Sequence, residues 1–64
     1  MKVKQYRAVI QNIISTRVSW SYSEKMASIL AVQHCACLDE DVSLQEYIEL
    51  KRFSENLIVG GDTQ

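Results

Sequence analysis

The feature that most constrains the fold is an uncharged stretch of thirteen residues near the middle of the chain. Residues 26–38 read MASILAVQHCACL and contain no Asp, Glu, Lys or Arg. At roughly 100° per residue, apolar side chains occupy most of the helix circumference, which is typical of a helix buried on more than one side. Such a helix reaches only about 20 Å, against roughly 30 Å for a bilayer core. The pattern therefore predicts a buried core helix and no membrane span.

The residues on either side of this stretch indicate where the helix begins and ends. Ser21 and Glu24 have the spacing of a capping box, in which each side chain accepts a hydrogen bond from the other residue's backbone N–H. Residues 39–41 are Asp, Glu and Asp, and carboxylates at the C-terminal end of a helix oppose its dipole. We therefore expect this helix to span residues 22–38.

Two further helices are predicted on either side of it. Residues 3–16 have an apolar side and a polar side, as in an amphipathic helix. Ser43 and Glu46 form a second capping box, and Val42 and Tyr47 stand at the spacing of a hydrophobic staple. The third helix is expected over residues 44–59, with Gly60 as a left-handed cap.

These helices predict an all-α fold, a small three-helix bundle formed by residues 1–59 and followed by a disordered tail, residues 60–64. The chain has no proline and only two glycines, both near its C-terminal end, which favours uninterrupted helices. The predicted core consists of nine residues: Ile10, Ile13, Ile14, Met26, Ile29, Leu30, Tyr47, Ile48 and Phe53.

Residues 17–23 allow two interpretations. Val18, Trp20 and Tyr22 alternate with polar residues, which is the pattern of a half-buried strand. No second strand is predicted, so this one can pair only with its copy in another subunit. The alternative is a connecting loop in which Trp20 packs against the core.

The length of the chain predicts self-association. A domain of 64 residues buries only about 60% of the surface that its unfolded chain exposes, so its stability is marginal. The third helix also has two apolar stripes, more than one neighbour can cover. The sequence therefore predicts a homodimer with a candidate interface of four residues: Leu50, Phe53, Leu57 and Trp20.

Charge is distributed unevenly along the chain. Residues 1–25 carry a net charge of +4 and residues 39–64 a net charge of −5. This split favours packing of the first helix beside the third, within one chain or in a dimer. Four basic residues are candidate contacts to DNA or RNA: Lys2, Lys4, Arg7 and Arg17. Three glutamates in the third helix would repel phosphates, so nucleic-acid binding is the alternative and not the favoured function.

Residues 34–41 contain side chains of the types that bind metals, but their spacing predicts no site. Cys35 and Cys37 would point about 200° apart on a helix, so they cannot both reach one ion. We interpret both thiols as small core residues. The sequence has no Gly-rich phosphate loop and no nucleophile paired with His34. No catalytic residue, metal or cofactor is predicted.

The functional expectation is therefore a small, non-enzymatic helical interaction protein. The start of the chain does not read as a secretory leader, and two cysteines in a C-x-C arrangement favour a reducing, cytoplasmic location. The favoured role is an accessory regulator that binds another protein, and size alone favours the regulators of phages and other mobile elements. The alternative is a small DNA- or RNA-binding regulator that uses its basic first helix.

Overall fold

The computed structural model describes residues 2–60, which form three α-helices and a π-helical turn. These are α1 (Val3–Thr16), α2 (Tyr22–Leu38), α3 (Leu44–Glu55) and the π-helical turn Asn56–Gly60. The bounds of α1 and α2 are as predicted, and no strand occurs within residues 2–60. Gly60 is the last residue of the π-helical turn instead of a left-handed cap. The rest of the predicted tail lies outside the described residues.

Both predicted capping boxes are present. At the start of α2, Ser21 Oγ accepts a hydrogen bond from the Glu24 N–H at 3.3 Å, and Glu24 Oε1 accepts one from the Ser21 N–H at 3.3 Å. At the start of α3, Ser43 and Glu46 make the same two bonds at 3.2 and 3.4 Å. Because these bonds join residues only three positions apart, local sequence is enough to determine where α2 and α3 begin.

The three helices pack around a small core to which each contributes. Its buried residues are Val3, Tyr6, Ile10, Ile29, Gln33, Ala36, Leu50 and Ser54. Two of the nine predicted core residues are buried, Ile10 and Ile29. Five are half-buried: Ile13, Ile14, Met26, Tyr47 and Phe53. The remaining two, Leu30 and Ile48, are exposed, contrary to the prediction.

α2 is not enclosed on several sides, which corrects the prediction made from its uncharged sequence. The helix directs Ile29, Gln33 and Ala36 into the core, where it packs against α1 and α3. Its opposite side is exposed to solvent, and Leu30 retains 54% of its accessible surface. The reason is that three helices supply α2 with only two neighbours. Apolar periodicity alone does not reveal which sides of a helix its neighbours cover.

Residues 17–21 form the turn between α1 and α2, as the loop interpretation predicts, and they do not form a strand. The Trp20 N–H donates a hydrogen bond to the Arg17 carbonyl at 3.0 Å. The central guanidinium carbon of Arg17 lies 5.2 Å from the centroid of the Trp20 ring, within the range of a cation–π contact. Trp20 is half-buried in this turn, whereas Val18 is exposed.

A hydrogen bond between two buried polar side chains joins α2 to α3. Gln33 Nε2 donates to Ser54 Oγ, which in turn donates to the backbone carbonyl of Lys51 at 2.9 Å. Both side chains are buried, and an unpaired polar group at such a site costs free energy. The pair therefore favours the register of α2 against α3 that brings Gln33 to Ser54.

Tyr6 connects α1 to the C-terminal end of α2. Its hydroxyl donates a hydrogen bond to Asp39 Oδ2 at 3.1 Å, and the Cys35 carbonyl oxygen lies 3.5 Å away. Burial raises the pKa of the Tyr6 phenol, and the hydrogen bond to Asp39 and the negative charge of that carboxylate raise it further. The folded state therefore favours the protonated form of the Tyr6 side chain.

We expect this contact to make the protein sensitive to alkali. Because the folded-state pKa of Tyr6 lies above its usual value of about 10, its contribution to stability is complete below that pH and is lost as the pH rises through the folded-state pKa. Urea denaturation at pH 7 should show that Tyr6→Phe is less stable than wild type. Between pH 7 and higher pH, the variant should lose less of its free energy of unfolding than wild type loses. The control is Tyr22→Phe at a ring that is 56% exposed, which should retain the wild-type pH dependence. Equal pH dependence in all three proteins would contradict the assignment.

Candidate functional site

The exposed side of α2 is the candidate functional site. It carries five exposed residues, which we call the outer face of α2: Ala27, Leu30, Ala31, His34 and Leu38. Leu38 retains 70% of its accessible surface. The only Asp, Glu, Lys or Arg residues of α2 are Glu24 and Lys25 in its first turn. Most of the helix therefore presents an uncharged surface to solvent.

This surface differs from the exposed sides of the other two helices. α1 exposes Lys4 and Arg7, and α3 exposes Glu49 and Arg52, as is usual for helices that face water. Contiguous exposed apolar patches mark interaction sites, and the central parts of protein interfaces are depleted of charged residues. α3 also exposes Leu44 and Ile48, but Lys51 and Glu55 share that side of the helix, whereas the outer face of α2 carries no Asp, Glu, Lys or Arg.

An apolar groove extends the outer face of α2 toward α1. It has a volume of about 300 Å³ and is lined by Tyr6, Val9, Ala31, Val32 and Cys35. Val9, on α1, is exposed, and Ala31 belongs to both the groove and the outer face. Apolar surface therefore continues across the α1–α2 contact without an intervening charged side chain in the groove lining.

The four basic residues proposed for nucleic-acid contacts are exposed: Lys2, Lys4, Arg7 and Arg17. Lys4 and Arg7 line a groove of about 610 Å³ between α1 and α3 together with Glu46 and Glu49. The central guanidinium carbon of Arg7 lies 4.6 Å from the centroid of the Phe53 ring. Phosphates that approached these two cations would meet two carboxylates in the same groove. This arrangement disfavours a nucleic-acid site on α1.

The predicted interface residues of α3 face the core of a single chain. Leu50 is 0% exposed, and Phe53 and Leu57 are half-buried against the same core cluster. A side chain enclosed by its own chain is not available to another, so Leu50 is not part of an interface surface. α1 and α2 both pack against α3, and Leu57, in the π-helical turn that follows it, lies at the same core. Trp20 lies in the α1–α2 turn, and the homodimer itself stays a prediction.

The thiols and the potential metal ligands occupy dispersed positions. Cys35 and Cys37 are both free and exposed, so the interpretation of them as core residues is wrong. Both lie outside the buried side of α2, which is formed by Ile29, Gln33 and Ala36. Within residues 2–60, no three His, Cys, Asp or Glu side chains are grouped so that they could hold a metal ion. None of the helices in the same range combines the length and the apolar content needed to cross a membrane.

Comparisons with protein families, with curated proteins and with solved structures found no match.

None of the five residues of the outer face was predicted as a site residue. Leu30 was assigned to the core and His34 was expected to be partly exposed near the end of the helix, whereas the other three were treated as part of a helix buried on more than one side. The signal was nevertheless present in residues 26–38. A helix with apolar residues on all sides exceeds what two neighbouring helices can cover, so one uncharged side must be left exposed.

Proposed function

We propose that the protein is a small, non-enzymatic interaction protein that acts by contact with another polypeptide. The observation that carries this proposal is the exposure of the uncharged outer face of α2 in the folded chain. Leu38 and Leu30 are 70% and 54% exposed there, without a charged residue between them in the sequence. In this role the protein acts as an accessory regulator, by occupying a surface of its partner.

Burial of the outer face supplies a driving force for binding. Complete burial of a leucine side chain contributes about 1.5–3 kcal/mol. Leu30 and Leu38 are each more than half exposed, so a partner that covers them can supply more than half of that contribution at each residue. Ala27 and Ala31 are small and allow another helix to approach closely. The partner surface that fits such a site is apolar and uncharged, because a charged side chain placed against it would lose water without gaining a counter-ion.

The dispersed positions of the reactive side chains support action by contact in place of catalysis. Cys35 and Cys37 lie on different sides of α2, and His34 stands on its outer face among alanine and leucine side chains. A nucleophile activated by a base requires the two groups to lie within hydrogen-bonding distance of each other.

Site-specific photo-crosslinking tests the proposal. A photo-reactive phenylalanine analogue is introduced at His34, on the outer face, and separately at Glu49, on the exposed side of α3. In cells that produce the protein, we expect a crosslinked polypeptide, identified by mass spectrometry, from position 34 and not from position 49. Adding Leu38→Glu should abolish the crosslink because it places a charge in the apolar contact.

The result that contradicts the proposal is equally specific. Crosslinking of the same polypeptides from positions 34 and 49, or none from position 34, would show that the outer face of α2 is not a selective contact surface. Circular dichroism of each variant checks that the helices are retained, which we expect because both substituted residues are exposed.

A further inference from the structure

The two alanines of the outer face, Ala27 and Ala31, lie in its N-terminal half together with Leu30. His34 and Leu38 lie in its C-terminal half. Well-packed helix pairs place large side chains opposite small ones. A partner for this face must therefore present its larger residues to Ala27 and Ala31 and its smaller residues to His34 and Leu38.

A second copy of the same helix meets this requirement when it runs in the opposite direction. In antiparallel packing, a two-fold axis passes between residues 32 and 33. Ala27 of each copy then lies opposite Leu38 of the other, and Ala31 lies opposite His34. A parallel arrangement would place Leu38 against Leu38 and leave the alanines facing each other. In this register each alanine of the outer face meets one of the larger C-terminal residues, and Leu30 lies opposite Cys35.

The charges at the two ends of α2 favour the same orientation. Around its N-terminal end, Arg17 and Lys25 exceed Glu24 by one positive charge, whereas residues 39–41 carry three negative charges at the other end. Antiparallel packing places each positive end near the negative end of the second copy, and parallel packing superposes like charges. The helix dipoles also favour antiparallel packing, because the partial charges at the two ends of a helix have opposite signs.

We infer that the outer face of α2 packs against the same face of a second copy in antiparallel orientation. This inference rests on the proposed function and names the polypeptide that occupies the contact surface. It keeps the homodimer predicted from the sequence but moves its interface from α3 to α2. Leu50, which is buried within one chain, takes no part in it.

Sedimentation equilibrium of two matched leucine variants tests where the interface lies. Leu38→Glu alters a leucine that is 70% exposed on the outer face, and Leu44→Glu alters one that is 75% exposed in the first turn of α3. We expect Leu38→Glu to raise the dimer dissociation constant about tenfold or more, because it buries a carboxylate in an apolar contact. Leu44→Glu should leave the constant close to the wild-type value.

Cysteine pairing tests the orientation. In a Cys35→Ser, Cys37→Ser background, Ala27→Cys and Leu38→Cys are made as two separate proteins, one of them labelled with ¹⁵N. After mild oxidation of an equal mixture, we expect the disulfide between the two different proteins to dominate, because only that pair brings the sulfur atoms together in the antiparallel dimer. Each protein oxidised alone should give little covalent dimer.

Three results would overturn the inference. The first is a wild-type protein that remains monomeric at about 500 μM, which corresponds to a dissociation constant weaker than that concentration. The second is equal weakening of the dimer by Leu38→Glu and Leu44→Glu. The third is a preference for pairing of Ala27→Cys with itself. In each case, crosslinking from position 34 to a different polypeptide would leave the proposed function standing, and its absence would remove both.

Discussion

Leu50→Ala is expected to lower the free energy of unfolding by about 2–5 kcal/mol, a large effect for a domain of this size. Leu50 is 0% exposed, near the middle of α3, and its side chain is enclosed by the core. Truncation removes buried methyl groups and leaves a cavity that the neighbours fill only partly. A domain of 64 residues has a total stability of only about 3–10 kcal/mol, so the loss is a large fraction of the total.

Urea denaturation followed by far-UV circular dichroism measures this loss, and Leu44→Ala is its matched control. Leu44 lies on the same helix but is 75% exposed, so its truncation should change stability by no more than about 0.5 kcal/mol. Equal losses for the two variants would contradict the placement of Leu50 in the core of α3.

Ser54→Ala is expected to cost about 1–3 kcal/mol although it removes only one oxygen atom. The substitution deprives the buried Gln33 amide of the Ser54 hydroxyl to which it donates a hydrogen bond. Replacing both partners removes the unsatisfied group, so Gln33→Met with Ser54→Ala should be more stable than the sum of the two single effects predicts.

A double-mutant cycle measures that difference as a coupling energy between positions 33 and 54. We expect a coupling of about 0.5–3 kcal/mol, the range for groups in direct contact. The matched control combines Ser54→Ala with Gln45→Met, a substitution at an exposed glutamine of α3 whose side chain donates a hydrogen bond to Glu49. Additive effects in the Gln33 cycle would show that the polar pair does not contribute to the α2–α3 contact.

The predicted interface shows that an apolar pattern does not reveal what covers it. Leu50, Phe53 and Leu57 form a regular apolar stripe, and this regularity is the same whether the stripe meets another chain or the chain's own helices. The structure places all three at the core, whereas Leu30 and Leu38 of α2 are exposed. The candidate functional site was missed because α2 was expected to be covered on several sides, with Leu30 in the core.

The sequence by itself determined the local features of this protein. The ends of α1 and α2, the capping boxes at Ser21 and Ser43 and the all-helical class follow from interactions between residues a few positions apart, together with the absence of proline. Only the tertiary structure decided which apolar sides are covered, how Gln33 meets Ser54 and why the outer face of α2 is exposed. Helical periodicity identifies the sides of each helix, but burial depends on where the neighbouring helices lie, and two neighbours cannot enclose α2.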